Sequence, residues 1–190
     1  GERSAQVTGK LAYEAASPAA FPAVGDWVYL ASSADNQAQI EAIEPRQSDL
    51  ARGAVNHQDG QIIATNINTI FICMSLNADF NVRRLERYLT IAWDSGALPV
   101  IVLTKADVCT DLATKLRAVA DVSVGVPTIT CSAETGQGLD ELQPYLTTGQ
   151  TLAFVGSSGV GKSTFINRLL GQDILATKSI RTDDDKGRHT

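Results

Sequence analysis

A chain of 190 residues, 44% hydrophobic and 19% charged, has enough apolar material for one large domain or two small ones, and nothing in the composition suggests disorder. Its formal net charge of −5 argues against a generic polyanion binder, which carries a basic excess, and confines any nucleic-acid contact to a local patch. The three cysteines Cys73, Cys109 and Cys131 include no CxxC pair, so a disulfide framework or a zinc site within these residues is not expected.

No run of about 18 apolar residues and no charged-then-apolar leader occurs, which predicts neither a membrane span nor a signal peptide. Reduced thiols and the absence of a leader together predict a soluble, cytoplasmic protein. A start at Gly1 rather than Met leads us to expect a trimmed or incomplete chain.

In chain order, residues 1 to about 45 read as short strands with turns between them. AQVTGKLAY alternates and is β-capable, and FPAVGDWVYL sets Val24, Trp27, Val28 and Leu30 around a Gly-Asp turn. QAQIEAIEP is a further strand ended by Pro45. Short strands at this spacing predict a small β-barrel or sandwich. Arg46 to Gln61, polar with two glycines and no clear period, reads as a linker or long loop.

The texture then changes. IIATNINTIFICMSL is a continuous apolar run rich in β-branched residues, the pattern of a strand buried on both faces. NVRRLERYLTIAWDSG places Val82, Leu85, Leu89, Ala92 and Trp93 at helical spacing, with Gly96 as a stop. Arg83, Arg84 and Arg87 fall on its exposed face. LPVIVLTKAD (strand), DLATKLRAVADVSVG (helix), VPTITCSA (strand), GLDELQPYLT (short helix) and QTLAFVG (strand) follow, and a last helix runs through Leu170. Strands alternating with helices predict βαβ units and a parallel sheet with helices on both faces.

Between the last strand and helix lies GSSGVGKST, in which Gly156, Gly161, Lys162 and Ser163 satisfy GxxxxGK[ST]. Glycines let such a backbone curl so that successive N–H groups point at phosphate oxygens, and the start of the following helix adds partial positive charge. Gly156, Ser157, Ser158, Gly159, Val160, Gly161, Lys162, Ser163 and Thr164 are therefore candidate phosphate ligands. Lys162 would reach the β- and γ-phosphates, and the Ser163 hydroxyl would ligand Mg²⁺.

TKAD, residues Thr104, Lys105, Ala106 and Asp107, ends the strand LPVIVL. An [NT]KxD sequence in that place reads guanine. The aspartate accepts from the ring N1–H and the 2-amino group, which adenine does not offer, and the lysine stem packs along the base. One βα unit later CSAETG supplies Ser132 and Ala133, the second guanine-contacting element. Either motif alone could be a turn capping the next helix. Each nevertheless sits at the carboxyl end of a strand, where open α/β sheets place their ligands. Both precede the phosphate loop, the reverse of the usual order, so the nucleotide domain reads as circularly permuted.

With its elements in that order the sequence resembles the circularly permuted ribosome-assembly GTPase family called RsgA or YjeQ. The resemblance rests on AVGDWV, IEPRQSDLAR, SLNADFNVRRLERYLTIAW, LTKAD, GSSGVGKST and DDDKGRHT. It implies an α/β fold: an OB-fold-like barrel over residues 1–50, a linker over 51–61 and a permuted P-loop GTPase domain over 62–190. It also implies a monomeric GTP/GDP-binding hydrolase that requires Mg²⁺. Its implied task is late maturation of the small (30S) ribosomal subunit, with that subunit and its rRNA as partners and stimulators. Lys162 and Thr190 would be its catalytic residues, and Thr190 would join Ser163 on Mg²⁺ as part of the first switch. Zn²⁺ is implied only for a C-terminal domain beyond these residues. The sequence departs from the family at Thr104, where Asn is commonest. It also lacks the DxxG element, the zinc domain and, by this reading, the first strand of the barrel.

No glutamine lies near the switch to orient water, and His189 is the nearby candidate, against a plain solvated loop histidine. Lys178, Arg181, Lys186, Arg188 and His189 form a basic stretch suited to RNA. Two other classes compete. An ATP-using P-loop protein would share the phosphate loop without needing TKAD, and an RNA-binding scaffold indifferent to nucleotide would rest on the barrel alone.

Overall fold

The computed structural model describes residues 2–32, 38–52 and 61–171. The chain falls into two units, Gly1–Asn68 with Asp94–Ala97, and Thr69–Trp93 with Leu98–Thr190. Lys178, Arg181, Lys186, Arg188, His189 and Thr190 lie outside the described residues.

In the first unit, β1 (Ala5–Val7) pairs parallel with β3 (Ala38–Ile43), and β2 (Val28–Ser32) pairs antiparallel with β3. A second ladder joins β4 (Asp49–Arg52) to β5 (Gln61–Thr65) in antiparallel sense. AQVTGKLAY is not one strand, because β1 stops at Val7 and α1 (Gly9–Glu14) begins two residues later. The reason is local: the Thr8 hydroxyl accepts from the Leu11 N–H at 3.2 Å and caps the turn. Lys10, Leu11 and Ala12 are all good helix formers. The reading of 46–61 as a linker or loop fails at residues 49–52, which are strand β4, and at Gln61, which opens β5. Trp27 and Val24, which flank the Gly-Asp turn, are 73% and 76% exposed.

A polar network fixes the loops of this unit. Arg46 donates from Nε to Asp26 Oδ1 at 2.8 Å and from Nη2 to Oδ2 at 2.7 Å, and its Nη1 donates to the Ala19 carbonyl at 2.7 Å. Asp26 also accepts from the Ala23 N–H at 2.8 Å and the Thr65 hydroxyl at 2.7 Å. Gly25 is obligatory between them, since at φ +96° an added Cβ would lie 2.3 Å from the Thr65 carbonyl oxygen.

IIATNINTIFICMSL is likewise two strands. Asn66 adopts φ 53°, a conformation asparagine tolerates better than most residues, and it ends β5. Its side chain is held by the Gln47 N–H and the Gly25 carbonyl, at 3.0 and 2.9 Å.

The second unit is built on a parallel sheet of β6 (Thr69–Ser75), β7 (Leu98–Thr104), β8 (Thr128–Thr130) and β9 (Leu152–Val155), in the order β8-β7-β6-β9. All seven residues of β6 and all of β7 except Leu98 are buried, as expected of inner parallel strands covered on both faces. Among the described residues its α-helices are α2 (Val82–Asp94), α3 (Leu112–Val122) and α4 (Lys162–Leu170). Leu85, Leu89 and Ala92 form the buried stripe of α2, while Trp93, counted with them from its spacing, is 53% exposed. GLDELQPYLT yields a 3-10 turn over Asp140–Tyr145 rather than an α-helix, with Pro144 inside it. Phe71 stacks on Phe154 at 5.0 Å and meets Tyr145 edge-on at 5.6 Å. These rings tie the sheet's centre to β9 and hence to the loop that follows it.

Candidate nucleotide-binding site

Because the four strands are parallel, their carboxyl ends share one edge, and the segments that follow β7, β8 and β9 all emerge there. β9 leads into the phosphate loop. Gly156 has φ +147°, and a Cβ there would lie 2.4 Å from the Cys73 carbonyl oxygen of β6. Only glycine lets the loop leave the sheet so close to its neighbour. Gly159 and Gly161 also have positive φ, 81° and 93°, and Gly161 precedes the first residue of α4. This leaves the N–H groups of the α4 first turn available to an anion.

Lys162 opens α4, and its Nζ donates to the Gly156 and Ser157 carbonyls at 2.7 and 2.6 Å. Partial burial pushes its ammonium below the usual lysine range, a shift that an anionic ligand would oppose. Ser163, the candidate Mg²⁺ ligand, follows it on the first turn and is half-buried.

TKAD forms a tight turn at the end of β7. Thr104 is 3% exposed, and its hydroxyl donates to the Val160 carbonyl of the phosphate loop at 2.7 Å. The threonine found in place of the commoner asparagine therefore braces one loop directly on the other. Lys105 adopts φ 59°, a strained conformation for a lysine, and starts the 3-10 turn Ala106–Val108. The Ala106 N–H donates to the Cys131 carbonyl at 3.1 Å, which ties this turn to the segment after β8. There Ser132 is fully buried, and its Oγ accepts from the Thr135 N–H at 3.2 Å.

A cavity of about 240 Å³ is lined by Thr104, Lys105, Asp107, Ser132 and Ala133 together with Val160, Gly161 and Thr164 of the phosphate loop and α4. The two base-reading segments and the phosphate loop thus meet on one cleft. Ala106 does not line it, and neither do Gly156, Ser157, Ser158, Gly159, Lys162 or Ser163, which belong to the loop and helix start continuing from it. Val108, Glu134 and Phe165 also line the cavity; no motif marked them. Thr190 lies outside the described residues.

Helical spacing alone puts Arg84 on an exposed face. Its Nη1 instead donates to both carboxylate oxygens of Asp79 at 3.0 Å and to Ser157 Oγ at 2.8 Å. The signal was present in Asn81, whose side chain caps α2 by accepting from the Arg84 N–H at 3.0 Å. That cap places Arg84 in the first turn of α2, which follows the carboxyl end of β6.

Comparison with known proteins agrees with this geometry. The profile described as RsgA GTPase matches residues 43–190. The chain is 95% identical over 190 residues to small ribosomal subunit biogenesis GTPase RsgA 2 of Lactiplantibacillus plantarum, covering all of this chain and 54% of that protein. The chain therefore spans about half the length of that relative. Among solved structures, YjeQ from Thermotoga maritima superposes with TM-score 0.69 at 24% identity, over 87% of this chain and 55% of the other. YloQ, described as a circularly permuted GTPase, superposes with TM-score 0.57 at 24% identity, over 78% of this chain and 50% of the other. These two likenesses support the α/β fold.

Proposed function

The chain belongs to the RsgA GTPase family, and on that premise we propose that it binds GTP, hydrolyses it to GDP and acts in maturation of the small ribosomal subunit, which stimulates the hydrolysis. The observation that carries the nucleotide reading is the Thr104–Val160 bond at 2.7 Å. It joins a guanine-type turn to a phosphate loop across one cleft. An ATP-using P-loop protein would have no reason to bring TKAD to that place.

In this reading Asp107 and Lys105 select guanine, with Ser132 and Ala133 closing over the base. Lys162 and the N–H groups of residues 156–164 hold the phosphates. The residues also fit Mg²⁺. Among the described residues no cluster of three or more His, Cys, Asp or Glu could hold a metal. An ion held by a helix-start hydroxyl, phosphate oxygens and water needs none. Ser163 would hold it, with Thr190 as a further ligand, and it would neutralise charge on the β- and γ-phosphates. Lys162 and the loop would supply the remaining stabilisation. We assign the first unit to an OB-fold-like barrel that contacts rRNA, together with the basic stretch from Lys178 to His189. The reading extends to a monomer working in the cytoplasm, with Zn²⁺ confined to a further domain. Among the described residues no helix is long and apolar enough to cross a membrane.

The test is nucleotide choice. The wild-type chain should bind GTP and GDP and ignore ATP. Asp107→Asn should lose guanine nucleotides by about 100-fold or more and gain xanthine nucleotides, because a hydrogen-bonding site rejects a mismatched partner strongly. Preference for ATP in competition, or a mutant still selective for GTP, would overturn the assignment. Hydrolysis measured with and without small subunits tests the partner.

A further inference from the structure

Arg84 belongs to none of the motifs that bind nucleotide, yet it reaches the phosphate loop across 73 residues of sequence. We propose that Arg84 is a positioning residue of the nucleotide site, holding the Ser157 segment of the phosphate loop in its binding conformation. The proposal rests on the nucleotide-binding reading given above.

Its support is a relay of hydrogen bonds that begins at the end of β6. Ser75 Oγ donates to Asn77 Oδ1 at 2.8 Å, and the same oxygen accepts the Asp79 N–H at 3.0 Å. This fixes the turn from which the Asp79 carboxylate receives Arg84 Nη1, with both oxygens at 3.0 Å. The Asn81 cap fixes the backbone of Arg84. Nη1 is thus anchored through Asp79 to the turn after a buried strand and donates as well to Ser157 Oγ. All three bonds leave one nitrogen, Nη1, and an arginine suits this task because its planar group is always charged and keeps that nitrogen in a fixed direction.

Ser157 also lends its carbonyl to Lys162 Nζ at 2.6 Å. That bond and the one to the Gly156 carbonyl use two of the three donors of an ammonium, so Lys162 ties the Ser157 segment to α4 while it turns toward a phosphate. Arg84 adds a second tie, to the turn after β6, and a loop already held in place binds with less ordering cost. An arginine serving only to make a surface pair with Asp79 would leave nucleotide affinity unchanged.

The test is a double-mutant cycle read in nucleotide affinity. Arg84→Ala, Ser157→Ala and the double variant are made in the full chain, and Kd is measured for GDP and for a non-hydrolysable GTP analogue, beside thermal unfolding without nucleotide. Each single variant should raise Kd about three- to tenfold, and the double variant no more than the worse single one, as for residues that act through one contact. Asp79→Asn should show a smaller loss, and Arg84→Lys should restore affinity only in part, since a flexible point charge lacks the planar group that fixes Nη1 between Asp79 and Ser157. Multiplicative single effects, or wild-type affinity in a folded Arg84→Ala, would overturn the proposal. Failure of the underlying reading looks different. If the wild type prefers ATP, the guanine assignment falls, and the same cycle read with ATP still decides the role of Arg84. A wild type that binds no nucleotide overturns both.

Discussion

The two units hold their loops in place by opposite means. In the second, a sheet buried along β6 and β7 carries the functional turns, and their geometry follows from strand ends and close backbone approach. Gly156 against the Cys73 carbonyl is the clearest case. In the first, strands are short, Tyr13, Val24 and Trp27 are largely exposed, and the loops converge on one ion pair between Asp26 and Arg46. Apolar burial is non-directional and tolerates modest change. A desolvated ion pair is all or nothing, because removing one partner strands the other. The two units should therefore fail differently.

The largest effect is expected from Arg46→Ala. Asp26 has a side chain only 1% exposed, so losing the guanidinium leaves a carboxylate out of water without its counter-charge. That costs about 3–5 kcal/mol, most of the stability a small unit has. With Trp93 replaced by Phe, Trp27 remains as the fluorescent reporter of this unit, and its urea midpoint should fall sharply. An unchanged midpoint would mean that apolar contacts hold this unit as well, and the contrast would dissolve.

The second effect tests the other half. Gly156→Ala forces a residue with a side chain to φ +147° and sets its Cβ 2.4 Å from a backbone oxygen, which cannot yield as a flexible side chain would. The strain alone is worth roughly 1–3 kcal/mol, and relief requires the loop to leave β6. Nucleotide binding should be lost while the circular-dichroism spectrum of the sheet persists, because β6 and β7 retain their buried contacts. Full affinity in this variant would show that the loop does not depend on its approach to β6.

How much could be read beforehand follows the same division. The parallel strands, the order of the motifs and the convergence of Thr104, Asp107, Ser132 and the phosphate loop were legible, because long apolar runs and glycine spacing are local signals. The short helix at Gly9–Glu14 was not, since one capped turn in an alternating stretch leaves no period to detect. The break at Asn66 was hidden by apolar residues on both sides, although they end in one unit and begin in the other. β4 escaped because its ladder partner lies beyond a polar stretch. Arg84 was misplaced on an exposed face for a related reason: helical spacing gives the angle of a side chain about its axis but not what stands at the end of the helix.

The smallest effect concerns acid. Burial works to raise the Asp26 pKa, but hydrogen bonds from Arg46, the Ala23 N–H and Thr65, with the Arg46 charge, outweigh it and hold the carboxyl below its ordinary value. A carboxyl whose folded pKa is depressed binds its proton more readily in the unfolded chain. Its contribution is thus complete above the unfolded value, about 3.9, and is lost as the pH falls through the folded one. The first unit, followed through Trp27, should therefore keep this contribution at neutral pH and lose it only below about pH 4. Asp26→Asn should be less stable than the wild type at pH 7 and should approach it in acid, since the wild-type carboxyl is by then neutral too. The sign of that convergence is the decisive reading. Two curves that stay parallel from pH 7 down to the acid limit would show that the ionised carboxylate contributes nothing and that Asp26 acts by shape and hydrogen bonding alone.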